Sequence, residues 1–257
     1  MNNELSIKNL SFSYRNNKVL DNINYDFNIN KITVILGLNG CGKTTLLKLL
    51  ANNLKKYDGE ILLNGEKINV MKPETTSKYI SFVPQLINDN NDYNVLDYLT
   101  FGLVNSIKFY NSPSLEQIKY VKKIAEKFKI EHLLDKKMNQ LSGGEKQLIN
   151  ICLAVIQNTP IILMDEPTSA LDLNNQYLIM NIIKNLVSEC KTIILTTHNP
   201  NICLYLDSYV LLLKEGIVLN SGKAKDIINV ETLKQIYGDV ITTSEELNYN
   251  EITFKQG

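Results

Sequence analysis

"KITVILGLNGCGKTTLLKLL", residues 31–50, decides the fold. It opens on a short β-branched apolar run, passes glycines at 37, 40 and 42, and leaves on leucines at helical spacing. An apolar run of this length ending in glycine reads as a buried strand, and the leucines read as a helix. Between them Gly37, Gly40, Gly42, Lys43 and Thr44 fit GxxxxGK[ST] in the strand–loop–helix setting that a phosphate-binding P-loop requires. The glycines let successive backbone N–H groups converge on phosphate oxygens. Lys43 is expected to reach the β- and γ-phosphates, and the Thr44 hydroxyl to ligate Mg²⁺. The nucleotide-binding run is therefore Gly37, Leu38, Asn39, Gly40, Cys41, Gly42, Lys43, Thr44 and Thr45. Cys41, near a helix start and Lys43, is expected to have a depressed thiol pKa, with alkylation there blocking nucleotide binding, against the alternative of a small side chain that merely fits.

Outward from the loop, "ELSIKNLSFSY" and "VLDNINYDFNI" alternate apolar and polar residues, as half-buried antiparallel strands do. "GEILLNGEKI" and "SYVLLLKEGIVLNSG" read as hairpins, the first turning at Asn64-Gly65. "KYISFVPQ", "PIILMDE" and "KTIILTTH" read as further strands, with the helix "NQYLIMNIIKNLVSE" between the last two. From Leu86 to Asn139 polar loops separate helical patterns such as "SLEQIKYVKKIAEKFKI", which marks a helical subdomain inserted at about 86–157. The fold expected is α/β: a P-loop NTPase core with a mixed, mainly parallel sheet, an N-terminal antiparallel β subdomain and an inserted α-helical subdomain. One ATPase domain is read over 1–240, with a short tail at 241–257.

Composition narrows the partners. The chain has 257 residues, 44% of them apolar and 21% charged, and a formal net charge of zero, so it lacks the basic footprint of a nucleic-acid binder. Arg15 is its single arginine, and every other strong cation is a lysine. The four cysteines, at 41, 152, 190 and 203, form neither a CxxC pair nor a disulfide framework. No apolar run reaches the roughly 18 residues of a membrane helix, and "MNNELSIKNL" lacks the charged start and apolar run of a signal peptide. An intracellular protein without its own membrane span is expected.

A second glycine-bearing stretch, "QLSGGEKQ" at 140–147, places Ser142, Gly143 and Gly144 at the opening of the helix "EKQLINICLAVIQ", where backbone N–H groups face an anion. Asp165 closes the strand "IILMD" and Glu166 follows it. In a P-loop protein that pair suits holding Mg²⁺ and polarising an attacking water. The order of P-loop, "FVPQ", "LSGGEKQ", "ILMDEP", "SALD" and "TTH" resembles the ATP-binding subunits of ABC transporters over nearly the whole chain.

The resemblance explains two phosphate sites in one chain. It implies two copies packed head to tail, with Ser142, Gly143, Gly144 and Asp172 of one completing the ATP site on the other's P-loop. It further implies that Tyr14 stacks on adenine, against the alternative of a half-exposed strand aromatic. Gln85 would contact Mg²⁺ and the water, Asp172 would bridge the dimer rather than merely cap a helix, and His198 would bond the γ-phosphate and position Glu166. The catalytic set so implied is Glu166, His198, Lys43 and Gln85, and the Mg²⁺ set is Thr44, Gln85 and Asp165. Implied partners are a second ATP-binding subunit, transmembrane permease subunits docking against the helical insertion and the groove near Gln85, with the apolar residues of 93–110 as candidate surface against the alternative that they pack within the insertion, and, through the permease, an extracytoplasmic substrate-binding protein. The place implied is the cytoplasmic face of the membrane. Leu38 and Cys41 in the P-loop, and Leu148 and Leu153 after the signature, depart from the family's common residues without removing a backbone donor. "NVLDYLTFG", "LDLNNQ" and "VETLKQIYG" look most like subunits serving iron–siderophore, haem and cobalamin importers. A soluble ABC ATPase of iron–sulfur cluster assembly, or a subunit for another cargo or for export, are the alternatives.

Overall fold

The computed structural model describes residues 4–85, 92–105, 112–238, 241–243 and 252–254. The expected start of the helical insertion at Leu86, residues 106–110 of the candidate docking surface and most of the 241–257 tail lie outside the described residues. The chain divides into two compact units, one of residues 1–71 with 192–257 and one of residues 72–191.

In the first unit, β1 (Leu5–Tyr14) and β2 (Asn17–Asp26) pair antiparallel. β3 (Ile32–Leu36) leads to α1 (Lys43–Leu50), and β4 (Asp58–Leu63) turns into β5 (Glu66–Lys67). Strand order β2-β1-β4-β5 makes an antiparallel sheet. The alternation seen in the sequence becomes one buried face, with Leu5, Ile7, Leu10 and Phe12 of β1 beside Leu20 and Ile23 of β2. The β4–β5 turn puts Asn64 at φ 53° and Gly65 at φ 83°, two left-handed residues in succession as a type I′ hairpin demands.

The same unit holds β3 in parallel register with two strands from the far end of the sequence, β8 (Thr192–Thr197) and β9 (Tyr209–Lys214). β10 (Ile217–Lys223) pairs antiparallel with β9 through a Glu215-Gly216 turn. All five residues of β3 are buried, which is why its sequence is a continuous apolar run instead of an alternation. The short helix α7 (Pro200–Tyr205) joins β8 to β9, and α8 (Ala224–Ile227), α9 (Val230–Tyr237) and the paired strands β11 (Ile241–Thr243) and β12 (Ile252–Phe254) come after β10.

The second unit contains α2 (Pro73–Tyr79), β6 (Ile80–Val83), α3 (Val95–Thr100), α4 (Leu115–Lys127), α5 (Gly143–Ile156), β7 (Ile161–Met164) and α6 (Leu173–Ser188). β6 and β7 run parallel, with Val83 opposite Met164. α5 buries Leu148, Ile149, Ile151, Cys152, Ala154 and Ile156, and Tyr98 of α3 donates to Asn150 Oδ1 at 2.9 Å to fix the two helices together. α2 is absent from the sequence expectations. Its signal was Pro73 at the first helical position with Glu74 in the first turn. The architecture is the expected α/β one, with mainly parallel strands in the core, an antiparallel N-terminal sheet and helices. No helix among the described residues is long and apolar enough to cross a membrane.

Candidate functional site

β3 runs straight into the glycine loop. Gly37 is packed so closely that a Cβ there would stand 2.2 Å from the Leu213 carbonyl oxygen and 2.7 Å from Cys41 Sγ. Gly42 has φ +108°, and a Cβ on it would meet Leu20 Cδ2 at 2.8 Å, so both conformation and space require glycine. α1 begins directly behind Gly42 with no side chain capping it, which aims the helix's first amides at the loop. Lys43 is only 5% exposed, and its ammonium donates to Gly37 O at 2.9 Å and Leu38 O at 3.0 Å. A buried cation folded over a glycine loop at a helix start is an arrangement that suits polyphosphate. Leu38, Asn39 and Gly40 are exposed at its tip, Cys41 and Thr45 are buried, and Thr44 is half-buried. Tyr14, 45% exposed at the end of β1, packs edge-to-face on Phe12.

Register brings His198 alongside. Leu36 of β3 pairs with Thr197 of β8, so Gly37 and His198 are the next residues out along neighbouring parallel strands. This carboxyl edge is where ligands bind in sheets of this kind. The His198 side chain is exposed, and its carbonyl accepts from the Tyr237 hydroxyl at 2.6 Å. Tyr237 was not among the expected site residues; its one trace in the sequence was the stretch "VETLKQIYG".

In the second unit the same geometry recurs. Asp165 N donates to Val83 O at 2.8 Å, extending the β6–β7 register to its carboxyl edge. There Gln85 Nε2 donates to Glu166 Oε2 at 3.1 Å. Asp165 and Glu166 are both buried, which is costly for carboxylates without chemistry or pairing to justify it. Glu166 also adopts φ +44°, a left-handed conformation rare outside glycine and concentrated at functional sites. Its carbonyl accepts from both the amide (3.2 Å) and the hydroxyl (3.0 Å) of Ser169, which hold that backbone in place. Ser169 too was missing from the expected set.

The signature segment forms α5's first turn. Ser142 Oγ accepts from Glu145 N at 3.3 Å and donates to Glu145 Oε2 at 2.7 Å, and the same oxygen accepts from Ser142 N at 2.8 Å. This is a closed capping box. The Ser142 hydroxyl and amide hold the Glu145 carboxyl below its ordinary pKa. Gly143 and Gly144 are the helix's first two residues. Asp172 caps α6, accepting from Asn175 N at 2.8 Å and Asn175 Nδ2 at 3.2 Å.

The expected residues thus fall into two groups. Gly37–Thr45 and His198 stand at the carboxyl edge of β3 and β8 in one unit. Gln85, Asp165 and Glu166 stand at that of β6 and β7 in the other, which also carries Ser142–Gly144 and Asp172. The Thr44 hydroxyl, the Gln85 amide oxygen and the Asp165 carboxylate are hard oxygen donors of the kind Mg²⁺ takes. Among the described residues no cluster of three His, Cys, Asp or Glu forms a protein metal cage. Within one unit, the Asp165 carboxylate and the Gln85 amide oxygen are a donor set that fits an ion completed by phosphate and water.

One expectation is overturned. The Cys41 thiol is pushed up from its ordinary pKa, not depressed: burial outweighs the opposing pull of the Lys43 ammonium. Proximity to a cation and a helix start was legible in the sequence; desolvation was not.

Comparison with known proteins points one way. A family model described as ABC transporter matches residues 20–169. The chain is 36% identical over 235 residues to an iron chelatin transport ATP-binding protein of Helicobacter pylori strain 26695, covering 91% of this chain and 92% of that one. Among solved structures it matches a chain of an inward-facing metal-chelate type ABC transporter at 30% identity with TM-score 0.82, over 98% of this chain and 95% of that one. It also matches a dimeric ATP-binding cassette bound to ADP and phosphate at 27% identity with TM-score 0.74, over 86% of this chain and 98% of that one.

Proposed function

The chain belongs to the ABC transporter family and is an ABC ATPase. From that premise we propose that it powers an importer of metal chelates of the iron–siderophore, haem or cobalamin type, as one of two ATP-binding subunits on the cytoplasmic face of a membrane. The observation that carries the hydrolytic part is the buried Glu166 side chain held at 3.1 Å by Gln85. A carboxylate fixed at a sheet's carboxyl edge is placed to polarise one water, and Gln85 links it to the segment where a permease would act.

In this reading ATP lies on the P-loop. The loop amides and Lys43 offset phosphate charge, and Tyr14 stacks on the base. Thr44, Asp165 and Gln85 would hold Mg²⁺, which would supply positive charge to offset the phosphate charge. His198 bonds the γ-phosphate and keeps Glu166 in line with the attacking water. Each chain carries one P-loop and one signature, so the amides of Gly143 and Gly144, with Ser142 and Asp172, act on the nucleotide of a second copy. ATP closes the pair and hydrolysis reopens it, which moves the permease between its two faces; an extracytoplasmic binding protein delivers the cargo. The dimeric cassette with ADP and phosphate supports the pairing, and the iron chelatin relative and the metal-chelate transporter support the cargo class.

The test is Glu166→Gln. Light scattering should show a monomer that becomes a dimer only with Mg-ATP, and cells carrying the variant should lose iron-chelate uptake. A monomer that binds ATP without pairing overturns the head-to-tail closure. Intact iron-chelate uptake overturns the cargo.

A further inference from the structure

His198 lies on a short link between β8 and α7, and its backbone sets the point from which the side chain starts. That backbone is held from both sides. Thr197 Oγ1 accepts from Asn199 N at 3.1 Å, and Asn199 Oδ1 accepts from Asn201 N at 3.0 Å, opening α7. Between them, the His198 carbonyl accepts from the hydroxyl of Tyr237, 39 residues away, at 2.6 Å.

We propose that Tyr237 is a positioning residue for ATP hydrolysis: its hydroxyl pins the carbonyl of His198 and so sets where the imidazole stands at the carboxyl edge of β3 and β8. The inference rests on the reading that His198 contacts the γ-phosphate. α9 is built as an anchored strut for this bond. Asn229 caps it by accepting from Thr232 N at 2.8 Å, Leu233 and Ile236 are buried, and Lys214 Nζ of β9 donates to Gln235 O at 2.8 Å, two residues before the tyrosine. The phenol therefore has a fixed origin. Burial raises its pKa, and the neighbouring thiols of Cys203 on α7 and Cys41 in the P-loop raise it further. At working pH it stays protonated and donates. A tyrosine that only filled space here would serve as well without its hydroxyl.

Tyr237→Phe keeps the ring and removes that one donor. Losing that hydrogen bond, and with it the alignment of a catalytic group, is expected to lower kcat for Mg-ATP about tenfold, with KM within about twofold of the parent. The decisive measurement is a double-mutant cycle with His198→Ala, followed by single-turnover hydrolysis in which slow rates stay readable. If Tyr237 acts through His198, the double variant is no slower than His198→Ala alone. Full multiplication of the two losses overturns the inference, as does a Tyr237→Phe enzyme with parental kcat, whether or not its melting temperature has dropped. If His198→Ala itself hydrolyses like the parent, the reading of His198 fails and takes this inference with it. If His198→Ala is impaired while Tyr237→Phe is not, only the inference fails.

Discussion

α1 begins behind Gly42 at φ +108° with no side chain capping it, whereas α5 begins behind Ser142, whose hydroxyl and amide are both engaged by Glu145. Both starts carry glycine, and both read as anion sites in the sequence. The first is closed and committed, with a cation folded into the loop and glycines that admit no Cβ. The second is exposed and satisfied by its own side chains. The difference suits the two roles proposed for them. A loop that binds its own nucleotide gains from being preformed, because no ordering cost then falls on binding. A surface that waits for another molecule's nucleotide must be stable in water until then, and a capping box stabilises such an end.

Three substitutions or reactions would sharpen or break that contrast. The largest effect belongs to Lys43→Ala, which removes the buried cation from the loop. Nucleotide affinity should fall about 100-fold, the upper end for a charge-assisted contact, as read by fluorescent-nucleotide titration. An unchanged affinity would mean that the cation in the α1 cradle plays no part in binding. Ser142→Ala comes next. It opens the capping box, costs about 1 kcal/mol of stability in a denaturant melt, and should lower hydrolysis about tenfold while nucleotide still binds the isolated chain. Loss of binding on the Lys43→Ala scale would show that both helix starts serve the same nucleotide, and the contrast would collapse.

The smallest effect concerns Cys41. Its raised pKa leaves less thiolate at pH 7 than an ordinary thiol, and burial blocks access. Alkylation followed by peptide mass spectrometry should therefore mark the exposed Cys190 well before Cys41. The Cys41 rate should climb as pH rises toward its raised pKa. Faster labelling of Cys41 at pH 7 would mean that the loop opens far more than its packing suggests.

Legibility followed distance along the chain. The hairpin turn at Asn64-Gly65 and the P-loop could be read because their conformational demands fall on adjacent residues: Gly42 needs its φ to turn into α1, and Asn-Gly needs two left-handed residues. β3 could be read because a strand buried on both faces must be apolar throughout. α2 escaped because its Pro73 start is followed by polar residues without helical apolar spacing.

What the sequence determined by itself was the family, the α/β class and which residue types stand at the candidate site, since each rests on short contiguous patterns. What only the tertiary structure decided were the pairings across long separations and the effects of burial. Gln85 meets Glu166 across 81 residues, Tyr237 meets the His198 carbonyl across 39, Glu166 takes a left-handed backbone, and Cys41 loses its expected reactivity. The physical reason is common to all four. Desolvation and long-range hydrogen bonds depend on which elements the sheet register brings side by side, and register is a property of the packed core that no local run of residues specifies.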